Sequence, residues 1–166
     1  QRIVASATAQ NAAPSASSAS VQVPELTPKV WIRPGKNPVK VGDMVRVEVM
    51  LTNIVGVDSF KFDLSYDNEL LGLAMVSRGG LAVAGKTMMP WEEGDSRSTH
   101  GRVLGITGRV GELGRTWGSV ATVYFLSRQP GSAVLCIENL VLLDASGRVI
   151  TLPQAPAPCT VQISRQ

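Results

Sequence analysis

Histidine occurs once in this chain of 166 residues, at His100, and cysteine only twice, at Cys136 and Cys159. A zinc site draws on clustered His and Cys, and nucleophilic catalysis needs a base beside its nucleophile, so neither chemistry has much material. Charged residues are 17% of the chain and aromatics 5%. No apolar run approaches the roughly 20 residues that cross a bilayer, so membrane insertion is not expected. The basic residues (Arg33, Arg46, Lys61, Arg78, Arg109, Arg128, Arg148) are scattered, and the net charge is only +3. Without a basic block or interleaved aromatics, nucleic acid is not an expected partner.

What is present is apolar: 44% of residues are hydrophobic, enough for one domain with a single core. Gln1 in first position points to a processed product or an excised piece. Arg2-Ile3-Val4 runs into small polar residues, not into the apolar stretch of a signal peptide. Residues 5–20 hold seven Ala and five Ser, and no charge occurs between Arg2 and Glu25. That composition reads as an extended arm or linker over 1–27, leading into a domain over 28–166.

From Lys29 the period is two. Val45, Val47, Val49 and Leu51 alternate with Arg46, Glu48 and Met50, and Phe60, Phe62, Leu64 and Tyr66 alternate with Ser59, Lys61, Asp63 and Ser65. Further strands are predicted at 30–33, 70–76, 103–109, 120–127, 133–143, 149–152 and 160–164. Turn signals such as Pro34-Gly35, Gly42-Asp43, Pro130-Gly131 and Ser146-Gly147 separate them. About nine short strands with no sustained helical period predict an all-β chain, a β-sandwich of jelly-roll or immunoglobulin-like type with an extended N-terminal arm.

Particular runs then carry a resemblance. Val41-Gly42-Asp43-Met44-Val45-Arg46-Val47-Glu48-Val49, Asn53-Ile54-Val55-Gly56-Val57, and Phe60-Lys61-Phe62-Asp63-Leu64-Ser65-Tyr66-Asp67 followed by Glu69-Leu70-Leu71 resemble the first half of a cohesin domain. Val103-Leu104-Gly105-Ile106, Gly118 to Phe125, and Asp144-Ala145-Ser146-Gly147-Arg148-Val149-Ile150 are similar to its later strands and final hairpin. The resemblance covers about 28–164 and leaves out the arm. It implies a non-catalytic protein–protein interaction module, extracellular or at the cell surface, binding a dockerin-like partner through an open sheet face. The positions it carries over for that contact are Lys61 and Asp63.

Several features admit more than one reading. Arg46 and Glu48 on one strand with Lys61 and Asp63 on another are expected to set opposite charges on a shared outer face, as a docking surface or as ordinary cross-strand pairs. Asp67-Asn68-Glu69, and Glu92, Glu93 and Asp95, offer oxygens to calcium but lack the alternating spacing of a calcium loop; a turn suits the first set, and no cofactor is expected beyond that calcium alternative. Gly105, Gly108, Gly111 and Gly114 fit neither a phosphate loop nor a dinucleotide motif, and read as a strand end entering a glycine-rich loop. Of Trp31, Trp91 and Trp117, Trp91 sits in the least regular stretch and is the possible glycan contact of a carbohydrate-binding alternative. His100 lies outside any nucleophile-elbow motif. Cys136 and Cys159 permit one disulfide in an exported protein, or two buried thiols otherwise. A further alternative is a surface-filament subunit: the arm, through segments around Ile3, Val4, Val21 and Val23, would be donated as a β-strand to the next copy, making a homopolymer.

Overall fold

A computed structural model describes residues 27–83, 101–110 and 116–166. Its strands are β1 (Lys29–Pro34), β2 (Val39–Lys40), β3 (Met44–Thr52), β4 (Ser59–Tyr66), β5 (Leu71–Arg78), β6 (Arg102–Arg109), β7 (Trp117–Ser127), β8 (Gly131–Leu143), β9 (Val149–Ile150) and β10 (Cys159–Ser164). One helical turn, α1 (Gly80–Val83), follows β5. The predicted all-β sandwich is what forms, with ten strands among the described residues.

Two sheets face each other. One runs β2-β10-β8-β4-β6, with β9 also paired to β8; the other runs β1-β3-β7-β5. Every pairing is antiparallel except that of β10 with β2, where Ile163 lies opposite Val39. The chain therefore changes sheets between β1 and β2, and Pro34 and Gly35 stand at that corner, where a residue without an N–H and one without a Cβ suit a break in the ladder.

Alternation places the core as the period predicted. Val45, Val47, Val49 and Leu51 of β3 are buried and join Phe60, Phe62 and Leu64 of β4, Val123 and Phe125 of β7, and Leu135 of β8 in one cluster between the sheets. Tyr66 packs on this cluster at its rim, with its ring centroid 4.9 Å from that of Phe125. Leu81 of α1 is fully buried, and Gly118 makes room for it: a Cβ at 118 would stand 2.7 Å from the Leu81 Cγ. Inward residues settle the sheets against each other, so the outward residues of each sheet are left to make the two solvent faces.

Candidate functional site

The clearest departure from regular strand geometry lies on the outer face of β8-β4-β6. Strand β4 is the centre of this trio, and both neighbours bulge at the same level. Its register with β6 shifts between Phe62 and Leu64, and its register with β8 shifts between Lys61 and Asp63. The residues that absorb the extra length are in the left-handed region: Gly105 at φ 74° and Asn139 at φ 52°. Glycine adopts that conformation freely, and asparagine tolerates it better than most side chains.

Both bulges turn donors onto Asp63. The Gly105 backbone N–H donates to Asp63 Oδ1 at 2.8 Å, and Asn139 Nδ2 donates to Asp63 Oδ2 at 2.8 Å. Desolvation pushes the Asp63 pKa up, but the Asn139 and Gly105 hydrogen bonds with the Arg102 and Lys61 charges outweigh it, and the carboxyl titrates below its ordinary 3.8. Glu138 lies directly opposite Asp63 in the ladder, where two like charges would repel. The conflict is resolved by partner choice, since Glu138 pairs with Arg102 while Asp63 takes the amide and the backbone. At the other end of the face Arg109 Nε meets Asp58 Oδ1 at 3.2 Å. Lys61, Asp63, Leu104, Gly105, Asn139 and Val141 line an open depression of about 450 Å³ over this level. The site is a dip in a strand face with apolar walls from Leu104 and Val141, balanced charges around it, a fixed carboxylate and the exposed Lys61.

The four residues expected on one shared face divide between two. Lys61 and Asp63 belong to this face, whereas Arg46 and Glu48 are on β3 in the other sheet, turned away on the opposite side of the molecule. The inward side of each strand was as predicted, though Glu48, Met50 and Ser59 on the expected wet sides are buried. The connection over 53–58, however, crosses the sandwich, so consecutive strands do not share a sheet. There Glu48 bridges two guanidinium groups, Arg33 Nη2 at 2.8 Å and Arg46 Nη2 at 3.3 Å.

Of the two readings of the cysteine pair, the structure holds free thiols at both Cys136 and Cys159. Cys159 of β10 lies opposite Leu135, one residue short of Cys136, and a one-residue offset in adjacent strands turns the side chains to opposite faces. Cys159 points inward, where burial pushes its thiol pKa up, and Cys136 points out beside Ser65. Asp67 serves the turn: its Oδ1 accepts the Glu69 N–H at 3.0 Å and its carbonyl accepts from Leu70 and Leu71. Met50, expected on a wet face, is only 1% exposed. Trp31 stands on the outer side of β1 as its alternation requires, and Trp117 is 53% exposed. Ile3, Val4, Val21 and Val23 of the arm, together with Trp91, Glu92, Glu93, Asp95, His100, Gly111 and Gly114, lie outside the described residues.

Asn139 is the member of the site that sequence reasoning missed. A polar residue of turn character inside a long strand, two residues after Ile137 ends the regular apolar beat, was the signal for a bulge there. Gly105 within a predicted strand carried the same signal, read as a strand end.

The two-sheet sandwich is a cohesin-like fold. Known structures make the class specific. The chain is similar to a non-cellulosomal cohesin from the archaeon Archaeoglobus fulgidus, with 21% identity and a TM-score of 0.62 over 83% of this chain and 91% of that one. It is similar to the type II cohesin in a cohesin–X-dockerin complex from Acetivibrio cellulolyticus, at 17% identity and a TM-score of 0.69 over 82% and 99%. A type I cohesin–dockerin complex from Clostridium thermocellum gives 19% identity and a TM-score of 0.63 over 83% and 99%. No protein-family model matches the chain, and neither does any curated protein sequence.

Proposed function

We propose that this domain is a non-catalytic protein–protein interaction module of the extracellular space or cell surface, and that its β8-β4-β6 face docks a small dockerin-like module. The observation that carries the reading is the pair of facing bulges that hold Asp63 from both sides. A carboxylate anchored by two short hydrogen bonds is presented in one orientation, so a partner's donor meets a preorganised acceptor and loses little freedom in doing so. Lys61 beside it supplies a mobile cation, and the balanced charges around the dip suit a polar partner surface whose orientation is set by charge pairing. The cohesin-like fold supports the same partner class, since two of the similar structures are complexes with dockerin modules.

The test is binding to a panel of dockerin modules by calorimetry, first with the intact domain and then with Lys61→Ala and Asp63→Ala. Binding that falls at least tenfold in Asp63→Ala, about the 1.5–3 kcal/mol of a hydrogen bond to a charged group, supports the face. Dockerin binding unaffected by either substitution moves the contact elsewhere. Native material that forms long polymers, lost when the chain starts at Thr27, would favour the arm-donating filament instead.

A further inference from the structure

The opposite solvent face, on β1-β3-β7, has a chemistry the docking reading does not use. Among the described residues every outward-facing aromatic is here: Trp31 on β1, and Trp117 and Tyr124 on β7. Phe60, Phe62 and Phe125 are instead buried in the core, and Tyr66 packs against it. Register fixes the spacing. Trp31 pairs with Met50, Met50 pairs with Ser119, and Trp117 lies two residues before Ser119. Two strand spacings across and two residues along put the tryptophan Cα atoms about 12 Å apart on a diagonal. Neither indole takes part in a hydrogen bond or ring contact among the described residues.

The floor between the rings is filled. Glu48, Met50 and Thr122 are 9%, 1% and 5% exposed, so the face offers no deep socket at its centre for an inserted side chain. Trp117 stands proud of that floor, and Trp31 leads off the face into an open depression of about 460 Å³ at the β1 edge. The charge is one-sided as well. On these strands Lys29, Arg33 and Arg46 are cationic against the single carboxylate of Glu48, which holds Arg33 and Arg46 in place while both guanidiniums stay nearly half exposed.

We propose that this face binds an acidic polysaccharide, a polymer of uronic acid units. The apolar face of a pyranose ring stacks on an indole, which presents a broad π surface with a polar edge. Two rings on a diagonal can meet separate sugar units of one chain, and the Arg33 and Arg46 guanidiniums beyond Trp31 take the carboxylates through paired N–H bonds. A filled, flat floor with raised rings fits a chain laid across it better than a protein knob. The same surplus of positive charge opposes a second copy of this face.

The experiment is affinity electrophoresis of the intact chain in gels containing polygalacturonate or alginate, with dextran and hydroxyethylcellulose as neutral controls. Retardation by the acidic polymers is expected, weakened roughly tenfold by Trp117→Ala and by Trp31→Ala, and largely retained in Trp117→Tyr, which keeps a stacking ring. Circular dichroism melts of each variant establish that the fold is intact. Migration unchanged by every polymer overturns the proposal. So does retardation that ignores both tryptophan substitutions and vanishes in 0.5 M salt, because it is then charge attraction alone. Equal retardation by neutral polymers overturns the acidic assignment. A concentration-dependent mass in light scattering that Trp117→Ala abolishes would make the face a contact between protein chains, and the proposal would fall.

Discussion

Asp63 and Glu48 are both carboxylates on the outer side of a central strand, yet the molecule holds them in opposite ways. Asp63 is fixed by neutral donors, a backbone N–H and an amide, and these come from two strands that bulge to reach it. Glu48 is fixed by two cations, the guanidiniums of Arg33 on β1 and Arg46 on its own strand, and the register shift of β3 with β7 at Val49/Met50 brings no donor to it. The first arrangement gives up backbone regularity to present a negative charge inside a charge-balanced dip. The second uses side-chain cations in place of backbone donors and hands a positive surplus to the surface, next to exposed rings. One core therefore supports two faces of different chemistry, and the difference lies in which partner neutralises a single carboxylate.

Phe62→Ala would erase the comparison. Its ring is 1% exposed at the centre of the shared core, so truncation is expected to cost about 3–5 kcal/mol and to weaken both faces together. Urea unfolding reads the cost, and a loss confined to one face would mean that the sheets unfold independently.

Asp63→Ala breaks only the polar face. It leaves the Asn139 amide and the Gly105 N–H without their acceptor, an expected loss of about 1–3 kcal/mol at pH 7. The folded carboxyl titrates below its ordinary 3.8, so its contribution is fully present above that value and fades as pH falls through the lowered one. Wild type and variant should therefore converge in stability below pH 3.8, and a gap that persists into strong acid would show that the charge is not what matters.

Gly105→Ala sharpens the same side. A Cβ there meets nothing within 4 Å, so the expected loss of about 1–2 kcal/mol comes from the positive φ alone. An unchanged midpoint in urea would mean that the bulge relaxes without cost. Glu48→Gln acts on the other face, where it keeps the side chain's shape and removes the charge between two half-exposed guanidiniums. About 1 kcal/mol is expected, shrinking in 0.5 M salt, and thermal melts at two ionic strengths measure it. The smallest effect belongs to Cys136→Ser. The thiol points outward and is bonded to no other cysteine, so a change of under about 0.5 kcal/mol is expected, with a melting temperature indifferent to reductant.

Much of the fold was legible because burial acts residue by residue. Val45 to Leu51 and Phe60 to Leu64 had to turn alternate side chains inward whatever their strands paired with, and the resemblance of these runs to cohesin domains agrees with the cohesin-like fold that forms. The candidate site was legible only in part. Lys61 and Asp63 were found as the outward beat of their strand, but Asn139 comes from a strand 76 residues away, and no local pattern says which amide will reach which carboxylate. The grouping of Arg46 and Glu48 with them failed for the same reason, and no local pattern chose between a disulfide and two free thiols at Cys136 and Cys159.

By itself, then, the order of residues determined the β class, the inward side of each strand and the turns between them, since period-two patterning and turn chemistry are local. Only the tertiary structure decided which strands share a sheet, where β8 and β6 bulge, and that Cys159 falls one residue short of Cys136. Those outcomes depend on register between segments far apart in the chain, and a shift of one residue sends a side chain to the other face.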